Sequence, residues 1–305
     1  MRAVWCQMRA GYAIVSNGIS DLQHTYLGGA VFVDLWHGIP LKKIVYDNKY
    51  EKDWDGPKQR IRDFLINKPL GREYYVAASE NFVPIYQSAF RKPESQILCI
   101  GQPRCDVFFD KEKPQPYFPD KKIILYCPTH RNEGAKKMEI KKLFDLPRLE
   151  EYLAAEDYYF VIKKHFYHRG ETEDFNISND YPHILDVTGK NLDTQRLAME
   201  AKMMITDYSS IYIDFLLIDM PLLFYCYDYE QYLNEDREMY FEYDDVTPGK
   251  KAENFDELFA MIKEVIKNGS EFGRAEREKA RDFFFCRQGQ GPVSGIILDK
   301  IKFLK

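Results

Sequence analysis

Apolar runs of four to seven residues recur along the chain, each closed by a polar or turn segment. They are YAIVS (12–16), AVFVDLW (30–36), EYYVAAS (73–79), QILCIG (96–101), KIILYCP (122–128), YYFVIK (158–163), HILDV (183–187), MMIT (203–206) and PLLFYCY (221–227). Most are rich in Val, Ile, Phe or Tyr and do not alternate with polar residues, the pattern of strands buried on both faces. Between them lie stretches with helical spacing: DLPRLEEYLAAED (145–157), LDTQRLAMEAK (192–202) and FDELFAMIKEVIKN (255–268). In the last, Phe255, Leu258, Phe259, Ile262, Val265 and Ile266 form one stripe. Strand alternating with helix predicts an α/β protein with parallel sheets and crossover helices. The stretch KEKPQPYFPDKK (111–122), with three prolines and no periodicity, reads as an interdomain linker. It divides a first α/β domain, 1–110, from a second, 121–285, and leaves a terminal helical segment, 286–305.

The length of 305 residues suits two domains of ordinary size. Lys and Arg (43) are outnumbered by Asp and Glu (48), which excludes a chain-wide basic field, so no nucleic-acid partner is expected. No apolar run approaches the roughly 18 residues of a membrane span, and the first residues do not read as a secretory signal. The six cysteines are scattered without a CxxC pair, which predicts reduced core thiols in a cytosolic protein and no zinc site. The plentiful Tyr (22) and Phe (21) read as core packing.

Chemistry-bearing residues gather where strands end. A buried strand runs into His37, after which Gly38 and Pro40 break the chain. The carboxyl edge of a parallel sheet is where ligand crevices form, although a histidine there also serves plain structure. A second strand ends at Pro128, Thr129, His130 and Arg131, and Arg suits bidentate phosphate contact. A third runs into Lys163, Lys164, His165, His168 and Arg169, either a solvated charge run or an anion site. A fourth stops at Thr206 and is followed by Asp207, Ser209, Ser210 and an apolar-periodic helix, a pattern that caps a helix and can cradle a phosphate. No P-loop, GxGxxG fingerprint or GxSxG elbow accompanies these runs.

LWHGIPLKK, GQPRCD (101–106), YCPTHR (126–131), IKKH (162–165), ITDYSSIYIDF (205–215), PLLFYCYDYEQY (221–232) and the Tyr-Phe-Glu-Tyr and Pro-Gly of 240–249 occur in one order. The series resembles the CDP-glycerol glycerophosphotransferases, the teichoic-acid primases and polymerases of bacterial envelopes, over roughly residues 12–300. The resemblance implies a GT-B fold, two Rossmann-like domains facing across a cleft, the first of them shortened at its start. It implies transfer of glycerol phosphate from CDP-glycerol to a hydroxyl of a lipid-linked or polymeric acceptor, with release of CMP. It makes His37 the catalytic base and gives His165 and Arg131 the pyrophosphate. Thr129, Lys163, Thr206, Asp207, Ser209 and Ser210 fall on the nucleotide-phosphate side. No tightly bound cofactor is implied, and a need for Mg²⁺ is left open. The enzyme would be cytoplasmic, peripheral on the inner membrane face, with Lys136, Lys137, Lys141 and Lys142 able to touch anionic lipid. A CDP-ribitol donor, or a silent nucleotide-binding scaffold, stands as the alternative. Two departures are visible: the family's Pro after the histidine of the third motif is Phe166 here, and little chain precedes the WHG segment.

Overall fold

The computed structural model describes residues 2–18, 22, 26–48, 72–129, 138–164, 177–235, 238–286 and 290–304. The contacts divide the chain into two compact units, Met1–Phe109 with Arg237–Tyr240 and Asp282–Lys305, and Asp110–Asp236 with Phe241–Arg281.

The first unit holds a four-stranded parallel sheet in the order β1 (Tyr12–Val15), β2 (Val31–Asp34), β3 (Glu73–Ala77), β4 (Ile97–Cys99). Its core joins Val31, Val33, Val76, Leu98 and Ile100 to Val293, Ile297 and Ile301 near the chain's end. The terminal helix read from the sequence is Ser294–Lys302, and it completes this core rather than standing apart. Its entry is fixed by Asp106, whose carboxylate accepts the N–H of Val293 at 2.8 Å and of Ser294 at 2.9 Å. Upstream, Ser79 and Asn81 both donate to the Phe283 carbonyl at 2.9 Å. Residues 238–240 also belong to this unit: Lys43 N–H donates to Glu238 O and Tyr240 N–H to Leu41 O, both at 2.8 Å.

The second unit holds a six-stranded parallel sheet. In chain order its strands are β5 (Lys122–Tyr126), β6 (Tyr158–Ile162), β7 (Ile184–Asp186), β8 (Ala201–Thr206), β9 (Leu222–Tyr225) and β10 (Lys251–Ala252). In space they run β10-β9-β8-β5-β6-β7. After β7 the chain crosses back to the other side of β5, so the order reverses between β5 and β8, and the crevice at the carboxyl ends of those strands is the place where such sheets take ligands. The helices flanking the sheet carry side-chain caps at their starts. Asp145 accepts from Arg148 N–H before Leu146–Glu156, and Asp193 from Arg196 N–H before Thr194–Glu200. Asn254 accepts the Glu257 N–H before Phe255–Asn268 while the Glu257 carboxylate accepts the Glu253 N–H, and the helix's buried face is Leu258, Phe259, Met261, Ile262 and Val265.

The proline-rich stretch 111–122, read as a linker, is fastened to the second unit. Glu200 accepts the N–H of Tyr117 at 2.7 Å and of Phe118 at 2.9 Å, and Arg196 lies over the Tyr117 ring. The strand β10 is two residues long, too short to register as a run in the sequence.

Candidate active site

In the first unit, β2 is buried along its whole length and delivers the chain to Trp36 and His37. Trp36 is left-handed, with φ 55°. For a non-glycine residue this costs about 1–2 kcal/mol and persists only where neighbours hold it. They do. Asp34, 1 % exposed at the end of β2, accepts the Trp36 N–H at 2.8 Å. The indole packs edge-on against Phe90 (5.1 Å, 75°) and lies 4.4 Å from the His37 ring. The Arg104 guanidinium donates to the His37 carbonyl. His37 itself is exposed. A strained turn thus carries an exposed imidazole at the carboxyl end of a buried strand.

In the second unit the ends of β5 and β8 are tied together. Asp207, 1 % exposed, accepts at one carboxylate oxygen both the N–H (2.8 Å) and the hydroxyl (2.6 Å) of Thr129. Thr206 donates its hydroxyl to the Cys127 carbonyl at 2.7 Å. The Tyr243 hydroxyl donates to the Asp207 carbonyl at 2.9 Å, and Tyr208, stacked on Tyr232 at 3.9 Å, donates to Asp228 at 3.0 Å. Ser209 turns its hydroxyl to the Ile211 N–H at 3.3 Å, while Ser210 precedes the helix without a side-chain cap bond. That helix, Ile211–Phe215, has five residues before it tightens into Leu216–Ile218, so its dipole is weak.

Beside this clamp lies a cavity of about 600 Å³ lined by Tyr117, Cys127, Pro128, Lys163, Lys164, Asn191, Leu192, Asp193, Thr194, Ser209 and Ile211. All these residues except Tyr117 follow the ends of β5, β6, β7 or β8. Lys164 is buried against Asp186 (Nζ–Oδ2 3.6 Å), and Thr188 joins them by accepting the Lys164 N–H at 3.0 Å. Burial pushes the Cys127 thiol up to about 12, with Lys163 opposing and Asp207 reinforcing the shift.

The structure therefore brings Thr129, Lys163, Thr206, Asp207 and Ser209 together in the second unit and sets His37 in the first. Arg131 and His165 lie outside the described residues, as do Lys136 and Lys137. Lys141 and Lys142 lie on the helix Ile140–Leu143, where Lys142 pairs with Glu139 at 2.8 Å. Sequence reasoning did not single out Asp186, Thr188 or Asn191, which reach the site only through topology, and Tyr243 entered it only as the last residue of the Tyr-Phe-Glu-Tyr segment. Among the described residues no group of three or more His, Cys, Asp or Glu is placed to hold a metal ion. No helix among them is long and apolar enough to cross a membrane.

The family described as CDP-Glycerol:Poly(glycerophosphate) glycerophosphotransferase matches residues 1–302. The chain belongs to this family. Glycerophosphotransferase relatives include a teichoic acid poly(glycerol phosphate) polymerase of Staphylococcus epidermidis, 29% identical over 94% of this chain. A teichoic acid glycerol-phosphate transferase of Staphylococcus aureus is 28% identical over 85% of it. A teichoic acid ribitol-phosphate primase of Bacillus spizizenii is 31% identical over 72%. The chain spans 41%, 68% and 57% of those three proteins. Among solved structures, a variant of the wall teichoic acid polymerase TagF soaked with CDPG superposes with a TM-score of 0.75 at 25% identity, over 97% of this chain and 73% of that one. The UDP complex of S. aureus MnaA matches with a TM-score of 0.54 at 14% identity, over 99% of this chain and 78% of that one, which bears on fold alone. The glycerophosphotransferase family and the GT-B fold class agree with the two parallel α/β units described above.

Proposed function

We propose that this family member transfers glycerol phosphate from CDP-glycerol to a hydroxyl of a lipid-linked or polymeric polyol-phosphate acceptor, with release of CMP. The observation that carries the reading is the cavity that Lys163 lines at the carboxyl ends of β5, β6 and β8, beside the point where strand order reverses. A pocket lined by Lys163, Lys164, Asn191, Thr194 and Ser209 suits a nucleoside diphosphate.

In this reading the bond between the β-phosphorus and the bridging oxygen breaks, and CMP leaves as a phosphate whose last pKa is about 6. It departs as an anion and needs charge neutralisation rather than a proton. Lys163 supplies that within the cavity, Lys164 being already paired with Asp186, and the resemblance adds Arg131 and His165. The attacking hydroxyl must lose its proton as the new P–O bond forms, and His37 accepts it. Asp207 acts by holding the Thr129 turn against the end of β8, which shapes the cavity wall. No step is assigned to a metal ion. Turnover with and without EDTA decides whether Mg²⁺ takes part, and co-sedimentation with anionic liposomes at low and high salt tests the membrane contact.

The deciding experiment measures CMP released from labelled CDP-glycerol with an acceptor present. His37→Ala is expected to lower turnover by at least about 10²-fold with little change in donor binding. Near-normal turnover removes His37 from the mechanism, and no CMP release by the unaltered protein refutes the transferase reading. A second reading, with CDP-ribitol as donor, is favoured by the ribitol-phosphate relatives and is tested in the same assay with that donor.

A further inference from the structure

The turn that presents His37 is held at two points of its backbone. Asp34 fixes the peptide before Trp36 through its N–H, and Arg104 fixes the peptide after His37 through its C=O. The φ and ψ angles of Trp36 and His37 lie between these two anchors. Pinning both ends therefore sets the direction of the His37 Cα–Cβ bond, from which an exposed imidazole starts. The left-handed Trp36 lies between the two anchors, and a residue in that conformation persists only where its surroundings hold it.

Arg104 comes from the GQPR segment after β4, in the 3-10 stretch Pro103–Phe109, 67 residues away in sequence. Burial raises the fully buried Tyr86 phenol, with Arg104 opposing and Asp34 reinforcing the shift. Gln102, two residues before Arg104, is also buried. A guanidinium suits the task. Its planar fork directs N–H bonds at fixed angles, whereas a lysine ammonium swivels on a flexible stem.

We infer that Arg104 is a positioning residue for His37, setting the imidazole's direction by gripping the His37 carbonyl. The inference rests on the reading of His37 as the base. Misplacing a reacting group by about 1 Å costs on the order of 10²-fold in rate, so losing the grip lowers turnover without weakening the donor site.

The test is a double-mutant cycle on CMP release with wild type, Arg104→Ala, His37→Ala and the double variant. Arg104→Ala is expected to lower kcat about 10- to 10²-fold with the KM for CDP-glycerol within about twofold, and to have no further effect in the His37→Ala background. An equal loss in both backgrounds, or a loss carried by KM, overturns the inference. If Arg104→Ala does not fold, Arg104→Lys takes its place in the cycle with the same criteria and a smaller loss. A second arm stands apart from catalysis. In spectra of ¹³C-histidine protein the His37 ring signal, identified by its absence in His37→Ala, should shift on Arg104 substitution more than the other histidine signals. An unmoved His37 signal overturns the Arg104 inference even where His37 proves catalytic. A moved signal with normal turnover in His37→Ala supports the positioning contact and refutes the base instead.

Discussion

Asp207 shows how one side chain can look like a ligand group in sequence and act as a clamp in structure. Its partner Thr129 is 78 residues away, so nothing local distinguishes a capping aspartate from one that faces a substrate. Asp207→Ala removes two hydrogen bonds to a buried carboxylate, each worth about 1.5–3 kcal/mol. Calorimetry should show a large drop in Tm, and Asp207→Asn a smaller one. The place of His37 at a strand end was legible because the buried run stops at Gly38 and Pro40, but its role was not, since a histidine there also serves plain structure. Asp186 and Thr188 were not, because their partner Lys164 lies on a neighbouring strand's end. The buried thiols carry a pH prediction. Burial raises Cys127 and Cys226 to about 12 from an ordinary value of 9.0. The folded state then keeps protons that the unfolded chain gives up. Stability from this source is complete below about pH 9 and falls as pH climbs toward 12, at about 1.4 kcal/mol per pH unit for each group. Denaturation at pH 8 and 11 should show the loss, and Cys127→Ala should make the slope shallower. An unchanged slope would take Cys127 out of the account.

At the scale of elements, the strands and the capped helices were readable because each carries its signal within a dozen residues. The apolar runs mark the first nine strands, and the helical spacing of 145–157, 192–202 and 255–268 marks three of the helices. What escaped was pairing over long sequence separations. Residues 238–240 come from the middle of the second unit's chain yet form an antiparallel bridge, Lys42 to Met239, beside the turn that follows His37. Tyr240 anchors them: its hydroxyl donates to Asp47 at 2.7 Å and accepts the Ile44 N–H at 3.3 Å. Tyr240→Phe should destabilise by about 1–2 kcal/mol and increase hydrogen exchange at Lys43 and Ile44. Exchange that stays at the wild-type rate would show that the bridge holds without the hydroxyl. The helix after Thr206 also departs from its pattern, ending as a regular helix after five residues, because the apolar spacing of 211–218 continues through a tighter turn.

At the scale of the whole molecule, linear reading placed the domain border at the prolines, whereas packing assigns the last two dozen residues to the first unit. No composition shift announces that return, since an amphipathic tail suits any sheet with an unfilled face. Ile297→Ala in that tail should cost about 2–5 kcal/mol. Limited proteolysis should then cut first within residues 282–305, and cleavage elsewhere would show that the tail is not what fills that core. The shared core sets an order of assembly during synthesis. Strands β1 to β4 leave the ribosome early, but Val293, Ile297 and Ile301 leave only after the whole of the second unit. The second unit has all its residues available by position 281 and can close while the nascent first one still waits, half-finished, for its final helix.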